Sequence, residues 1–155
     1  MNAIDILNRC RSAQDDIRRL EERMARYRDC ATDSSAHINP NGRVQGAGGD
    51  ALAEFAGEIC YCEQQRDRRK REYKAESYCA CKLLDKLPET ECTVLYRFYM
   101  NGQTVDGIAA AIGLTANYVK RKKADGLARL AQIEPKTVLE LLPEWYGREN
   151  AYGND

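Results

Sequence analysis

The sequence predicts an all-α protein, in which a long, coiled-coil-like antiparallel helical hairpin is followed by a small helix-turn-helix domain. Three observations carry that expectation. Apolar residues recur at three- and four-residue intervals over two unusually long segments. A Gly- and Pro-containing stretch separates the two. After residue 84 the pattern changes to short helices, each bounded by Gly or by a Thr able to cap it. Composition agrees: charged residues make up 31% of the chain, with one Trp and two Phe, which suits long solvated helices better than a thick globular core.

The first segment, from about Asn2 to Ala31, is a heptad. Ala3, Cys10, Ile17, Met24 and Ala31 fall at one seven-residue spacing, and Ile6, Ala13, Leu20 and Tyr27 interleave at the other. Such a stripe buries one narrow helix face against a partner helix, while the Arg, Asp and Glu between them form a solvated outer face. A helix of about 30 residues is roughly 45 Å long, and one so thin needs a neighbour. Thr32, Ser34, Ser35, Pro40, Gly42, Gly46, Gly48 and Gly49 then break the pattern. Residues 32–49 are expected to form a flexible, disordered loop that lets the chain reverse.

Asp50 stands where an N-cap belongs, and the second long helix is expected to reach Leu84. Leu52, Phe55, Ile59, Cys62, Tyr73, Ala80 and Leu83 fit a heptad that Arg66 and Arg69 interrupt. Long basic stems can lie along an apolar seam while their heads reach water. Residues 1–84 therefore read as a hairpin with a weak centre, whose stripe could also serve a homodimer. The basic cluster Arg66, Arg68, Arg69, Lys70, Arg71 and Lys74 reads as a solvated face partnered by Glu63, Asp67 and Glu72 at helical spacing.

Beyond Leu84 the elements shorten. Pro88 suits the first position of a helix, and Glu89 and Glu91 favour its positive end. Val94, Leu95, Phe98 and Tyr99 give its apolar face, and Gly102 ends it. Thr104 can cap a second helix through Ile108 and Ile112; Gly113 supplies a left-handed turn; Thr115 caps a third helix carrying Val119, Leu127 and Leu130. Two short helices joined by a tight Gly-containing turn have helix-turn-helix geometry, assigned here to residues 85–133. In the remaining residues, 134–155, Val138, Leu141, Leu142 and Trp145 share a face of a short helix, with Trp145 packing inward and Asn150 to Asp155 loose.

The residues Leu87-Pro88-Glu89, Val94-Leu95, Tyr99 to Thr104, Ile108-Ala109, Ile112 to Thr115, Val119, Leu127 and Leu130 keep an unbroken spacing that resembles region four of the sigma-70 family. With the hairpin upstream, the whole layout resembles the small ArpU-type phage and prophage transcriptional regulators. The chain differs from the region four pattern at Gly107, where an acidic residue would complete a capping box, and at Lys122, where an apolar residue is usual. Gly126 replaces Ala, which costs up to about 1 kcal/mol of helix propensity. Asn117 stands where the family has an acidic base-reading residue. The resemblance implies docking on double-stranded DNA; the family's target sequence does not carry over.

Physical chemistry points the same way. A helix in the major groove needs one face to pack and another to reach base edges and phosphates. Val119, Leu127 and Leu130 supply the first, and Asn117, Lys120 and Arg121 share the second at i, i+3 and i+4. Asn can pair bidentately with adenine and Arg with guanine, so these three are the expected base contacts. Thr115, Tyr118 and Lys123 are the expected backbone contacts, which position without specifying. The run Lys120 to Lys123 belongs to a segment, residues 85–133, with seven basic against five acidic side chains in a chain of zero formal net charge.

No enzymatic constellation can be assembled. The single His is His37, and no phosphate-cradling Gly loop follows a strand. Cys60 and Cys62, like Cys79 and Cys81, are two residues apart on one helix and point to opposite sides, and the two pairs lie about 28 Å apart, so no metal site is expected. No cofactor is expected either. With no signal peptide and no stretch of about 20 apolar residues, the chain reads as cytoplasmic with reduced thiols and no membrane association. The leading expectation is a sequence-specific transcriptional regulator that engages duplex DNA, with RNA polymerase as a further partner. The alternatives are a small terminase-type DNA-packaging protein and a coiled-coil protein-interaction module.

Overall fold

The computed structural model describes residues 1–36 and 47–151. Among them every regular element is helical: α1 (Ala3–Ala36), α2 (Ala47–Leu84), α3 (Glu89–Leu95) continued by a π-helical segment (Tyr96–Met100), α4 (Val105–Ile112), α5 (Ala116–Leu130), α6 (Pro135–Glu140) and α7 (Glu144–Ala151). The long helix α1 packs against α2 as a hairpin, and smaller helices follow. The helices encroach on the expected loop from both sides, since α1 runs on to Ala36 and α2 begins at Ala47. Thr32 illustrates why: its hydroxyl donates to the carbonyl of Arg28 one turn back, so a residue suited to a break is absorbed by the helix. His37 and the rest of the loop lie outside the described residues, as do 152–155.

The chain divides into two compact units, Met1–Gln14 with Arg71–Asp155, and Asp15–Lys70. The second, loop-end unit has little apolar interior. Among its described residues Met24 and Cys62 are the fully buried side chains, flanked by half-buried Ile17, Leu20, Phe55 and Ile59, with the Tyr27 and Phe55 rings 6.2 Å apart. Leu52, expected on the stripe, is 37% exposed. Charge pairs between α1 and α2 border the seam: Arg69 with Asp16 at 3.4 Å, Lys70 with Glu21 at 3.4 Å, Arg23 with Glu58 at 3.7 Å and Arg28 with Glu63 at 3.4 Å. The sequence pointed to partners within α2 for its basic cluster. Arg66 and Asp67 do pair at 3.1 Å, and Arg69 and Lys70 also reach acids on α1, which the antiparallel neighbour brings within range.

The first, helix-rich unit has a continuous core. Ala3, Ile6, Leu7 and Cys10 of α1 and Cys79, Ala80, Leu83 and Leu84 of α2 meet Leu95, Tyr99, Leu130, Val138, Leu142 and Tyr146. The tail differs from the single short helix expected. Pro143 separates α6 from α7, and Tyr146, not Trp145, is the aromatic driven inside at 1% exposure. Trp145 is half-buried, with the Arg71 guanidinium 4.0 Å from its ring. Tyr146 is the side chain able to answer a buried charge: its hydroxyl donates to Glu76, which is fully buried and also accepts from Arg9 Nε at 2.6 Å. Arg9 extends to Glu72 at 3.4 Å. Burying a carboxylate is tolerable only with such partners. Burial first, then its bond to Glu76, raises the Tyr146 hydroxyl above the ordinary tyrosine range. Burial and the Glu76 charge likewise push the Cys79 thiol up to about 11.

Candidate nucleic-acid interface

The residues expected to touch DNA stand on a local scaffold with its own small core. Val94 of α3, Ile108 and Ala109 of α4 and Val119 of α5 are buried together, with Phe98, Val105, Ile112 and Ala116 packed against them. Three local devices set the turn between α4 and α5. Thr104 accepts a hydrogen bond from Gly107 N at 3.1 Å and so starts α4. Gly113 ends it with φ +69°, a conformation that strains any residue bearing a Cβ. Thr115 accepts from Tyr118 N at 3.3 Å and starts α5. Pro88 is displaced by one position from the expectation: it precedes the first helical residue, Glu89, with an extended ψ of 148°.

Helix α3 does not stop at Leu95 but widens into the π-helical segment, where Asn101 N reaches the carbonyl of Tyr96 at 3.2 Å. Gly102, with φ +66°, then redirects the chain toward α4. α5 crosses α3 closely. A Cβ at Gly126 would lie 2.8 Å from Leu95 Cδ1 and 3.4 Å from Glu91 Cβ, so the glycine that costs helix propensity spares the Leu95 methyl a displacement at this crossing. Glu91, only 3% exposed, sits at the same crossing. One of its oxygens lies 3.0 Å from Arg129 Nε, an ion-pair distance without hydrogen-bond alignment.

The structure brings Asn117, Lys120 and Arg121 to the exposed side of α5, while Val119 and Leu130 are fully buried. Tyr118 is half-buried and lies beneath two cations, with Arg121 at 5.3 Å and Lys122 at 5.6 Å from its ring. Lys122 therefore spans the edge of the packed stripe by resting its stem there and turning its ammonium to Tyr118 and to Asp125, 3.9 Å away. Thr115 is exposed but committed through its hydroxyl to the cap. Lys123 points to the flank rather than the outer face: its ammonium is 3.7 Å from the Phe98 ring centroid. Burial, then the nearby charge of Arg11, holds it below the usual lysine range. The surface is thus three polar side chains on one helical face with cations along both edges, an arrangement suited to base edges flanked by phosphates.

Comparison with protein families meets this geometry at the same place. Residues 83–132 match the family model for Sigma-70, region 4. The match begins in the last turn of α2, ends just past α5 and spans about a third of the chain. The segment is a region 4-like helix-turn-helix, a DNA-binding class of transcription-regulator type and not an enzyme family. No curated protein and no solved structure gives a significant match.

Among the described residues no group of three or more His, Cys, Asp or Glu side chains is placed to hold a metal ion, and Cys60 is exposed where Cys62 is buried. No helix among them is long and apolar enough to cross a membrane. Sequence reasoning missed Arg11, which donates to the Phe98 carbonyl oxygen and stacks 3.8 Å from that ring. It also missed the burial of Glu91. Arg11 carries no local signal, being one of several arginines on a solvated heptad face. Glu91 could have been suspected from Arg129, but only with the α3–α5 crossing known.

Proposed function

We propose that the chain is a sequence-specific double-stranded DNA-binding transcriptional regulator of the kind a phage or prophage encodes. The observation that carries this reading is the region 4-like segment with Asn117, Lys120 and Arg121 exposed on the face of α5 opposite buried Val119. In this reading α5 enters the major groove, those three side chains meet base edges, and Thr115, Tyr118 and Lys123 meet the backbone. The layout of hairpin followed by region 4-like segment supports the ArpU-type assignment. The partners are duplex DNA and RNA polymerase, with a second copy of the chain joined through the hairpin. A single module of this size buries little DNA surface, so the dimer supplies the affinity.

The test is selection of bound duplexes from a random pool, followed by titration of the selected site and a scrambled duplex. Arg121→Ala is expected to lower affinity for the selected site by about 10- to 100-fold, equivalent to about 1–3 kcal/mol of discrimination, and to leave the scrambled duplex little changed. A pool that yields no enriched sequence, or an Arg121→Ala loss equal on both duplexes, would refute sequence reading by α5.

A further inference from the structure

We propose that Arg11 and Lys123 together seat one phosphate of the DNA backbone, extending the interface beyond the region 4-like segment onto the start of α1. The proposal rests on the DNA-binding reading above. Two cations from elements far apart in sequence converge on one residue: the Arg11 guanidinium carbon is 3.8 Å and the Lys123 ammonium 3.7 Å from the Phe98 ring centroid. Arg11 is fixed there by a second tie, its Nη1 donating to the Phe98 carbonyl oxygen in the π-helical segment. Lys123 is also 5.9 Å from the Tyr99 ring.

Neither cation is ion-paired with a carboxylate among the described residues. The acids nearest in sequence are engaged elsewhere, Asp15 with Arg18 at 2.7 Å and Asp125 with Lys122 at 3.9 Å. An aromatic face attracts cations but does not neutralise them, so two cations that share one ring and have no carboxylate partner among the described residues favour an anion able to accept from both. Phosphate oxygens do so with charge-assisted hydrogen bonds. Both residues are half-buried rather than enclosed.

Position on α5 selects DNA as the source of that phosphate. At about 100° per residue, Lys120 and Lys123 lie on one flank of the helix, with Lys120 nearer the exposed face. A backbone strand bordering a groove occupied by α5 would meet Lys120, then Lys123, then Arg11. The flank cation expected to act alone becomes half of a two-residue seat. Its other half lies on α1, outside the segment that matches the family.

The experiment is the salt dependence of duplex affinity for the wild-type chain, Arg11→Gln, Lys123→Gln, the double variant and Arg11→Lys, each on the selected and a scrambled duplex. The double variant is expected to bind both duplexes more weakly by the same factor. Its plot of log affinity against log salt should be shallower by about 0.9, one phosphate's worth of released counterions. Arg11→Lys keeps the charge without the fork and should restore most of the slope, which a purely structural role for Arg11 would not produce. An unchanged slope overturns the seat, and a change near 1.8 overturns its being shared. Inorganic phosphate, compared with chloride at equal ionic strength, distinguishes the other source. A phosphate-specific rise in melting temperature lost in the double variant, with the DNA slope unchanged, would assign the site to free phosphate and overturn the DNA seat. Failure of the wild-type chain to bind any duplex would instead bring down the reading on which this one rests.

Discussion

The two compact units use one kind of heptad sequence to different ends. In the loop-end unit the stripe meets the facing helix: among the described residues Met24 and Cys62 are its fully buried side chains, and charge pairs between α1 and α2 border them. In the helix-rich unit the same periodicity places Ile6, Leu7 and Cys10 against α2 and against Leu95, Tyr99, Leu130 and Tyr146. The added layer converts a seam into a core. It also makes a buried carboxylate, Glu76, sustainable, because Arg9 and Tyr146 arrive from two other elements to meet it. Hydrophobic stabilisation scales with area removed from water, so stability is expected to be concentrated in the helix-rich unit, where α5 is anchored.

The largest expected effect tests that contrast directly. Ile6→Ala should cost about 2–4 kcal/mol in urea denaturation, as for a fully buried aliphatic side chain, whereas half-buried Ile17→Ala should cost about 1 kcal/mol. Equal losses would show that the loop-end seam is as tightly packed as the core. Tyr146→Phe comes next. Removing a hydroxyl that donates to a buried carboxylate should cost about 1.5–3 kcal/mol.

The same substitution sharpens the pH behaviour. A raised folded-state value for Tyr146 means that its stabilisation is complete below the usual tyrosine range and is lost as the pH rises beyond it. Cys79, raised from 9.0 to about 11, adds a loss of the same sign across that interval. Stability should therefore fall from about pH 9 upward, and Tyr146→Phe should flatten the upper part of that fall; an alkaline limb identical in the variant would separate Tyr146 from it.

Smaller effects belong to the loop-end unit and to the helix crossing. Asp16→Asn breaks the pair with Arg69 and should cost less than about 1 kcal/mol, a difference that disappears in 1 M salt. Persistence at high salt would mean that the pair is insulated from solvent. Gly126→Ala should stay within about 1 kcal/mol of wild type, since better helix propensity opposes the displacement of Leu95 Cδ1, a terminal methyl. A loss of several kcal/mol would show that Leu95 cannot yield.

What could be read without coordinates was whatever is encoded over a few consecutive turns. The heptad of α1 named its inward face correctly at Ala3, Ile6, Cys10, Ala13 and Met24. Thr104, Gly113 and Thr115 announced their roles because caps and left-handed turns depend on side-chain chemistry within three or four residues. Exposure of Asn117, Lys120 and Arg121 followed from the phase of Val119 on the same helix. Long-range pairing decided the rest. Which acid answers Arg69, which aromatic turns inward, why position 126 is Gly and where Arg11 comes to lie all depend on the element packed opposite, and an isolated helix periodicity specifies a face without naming what will cover it.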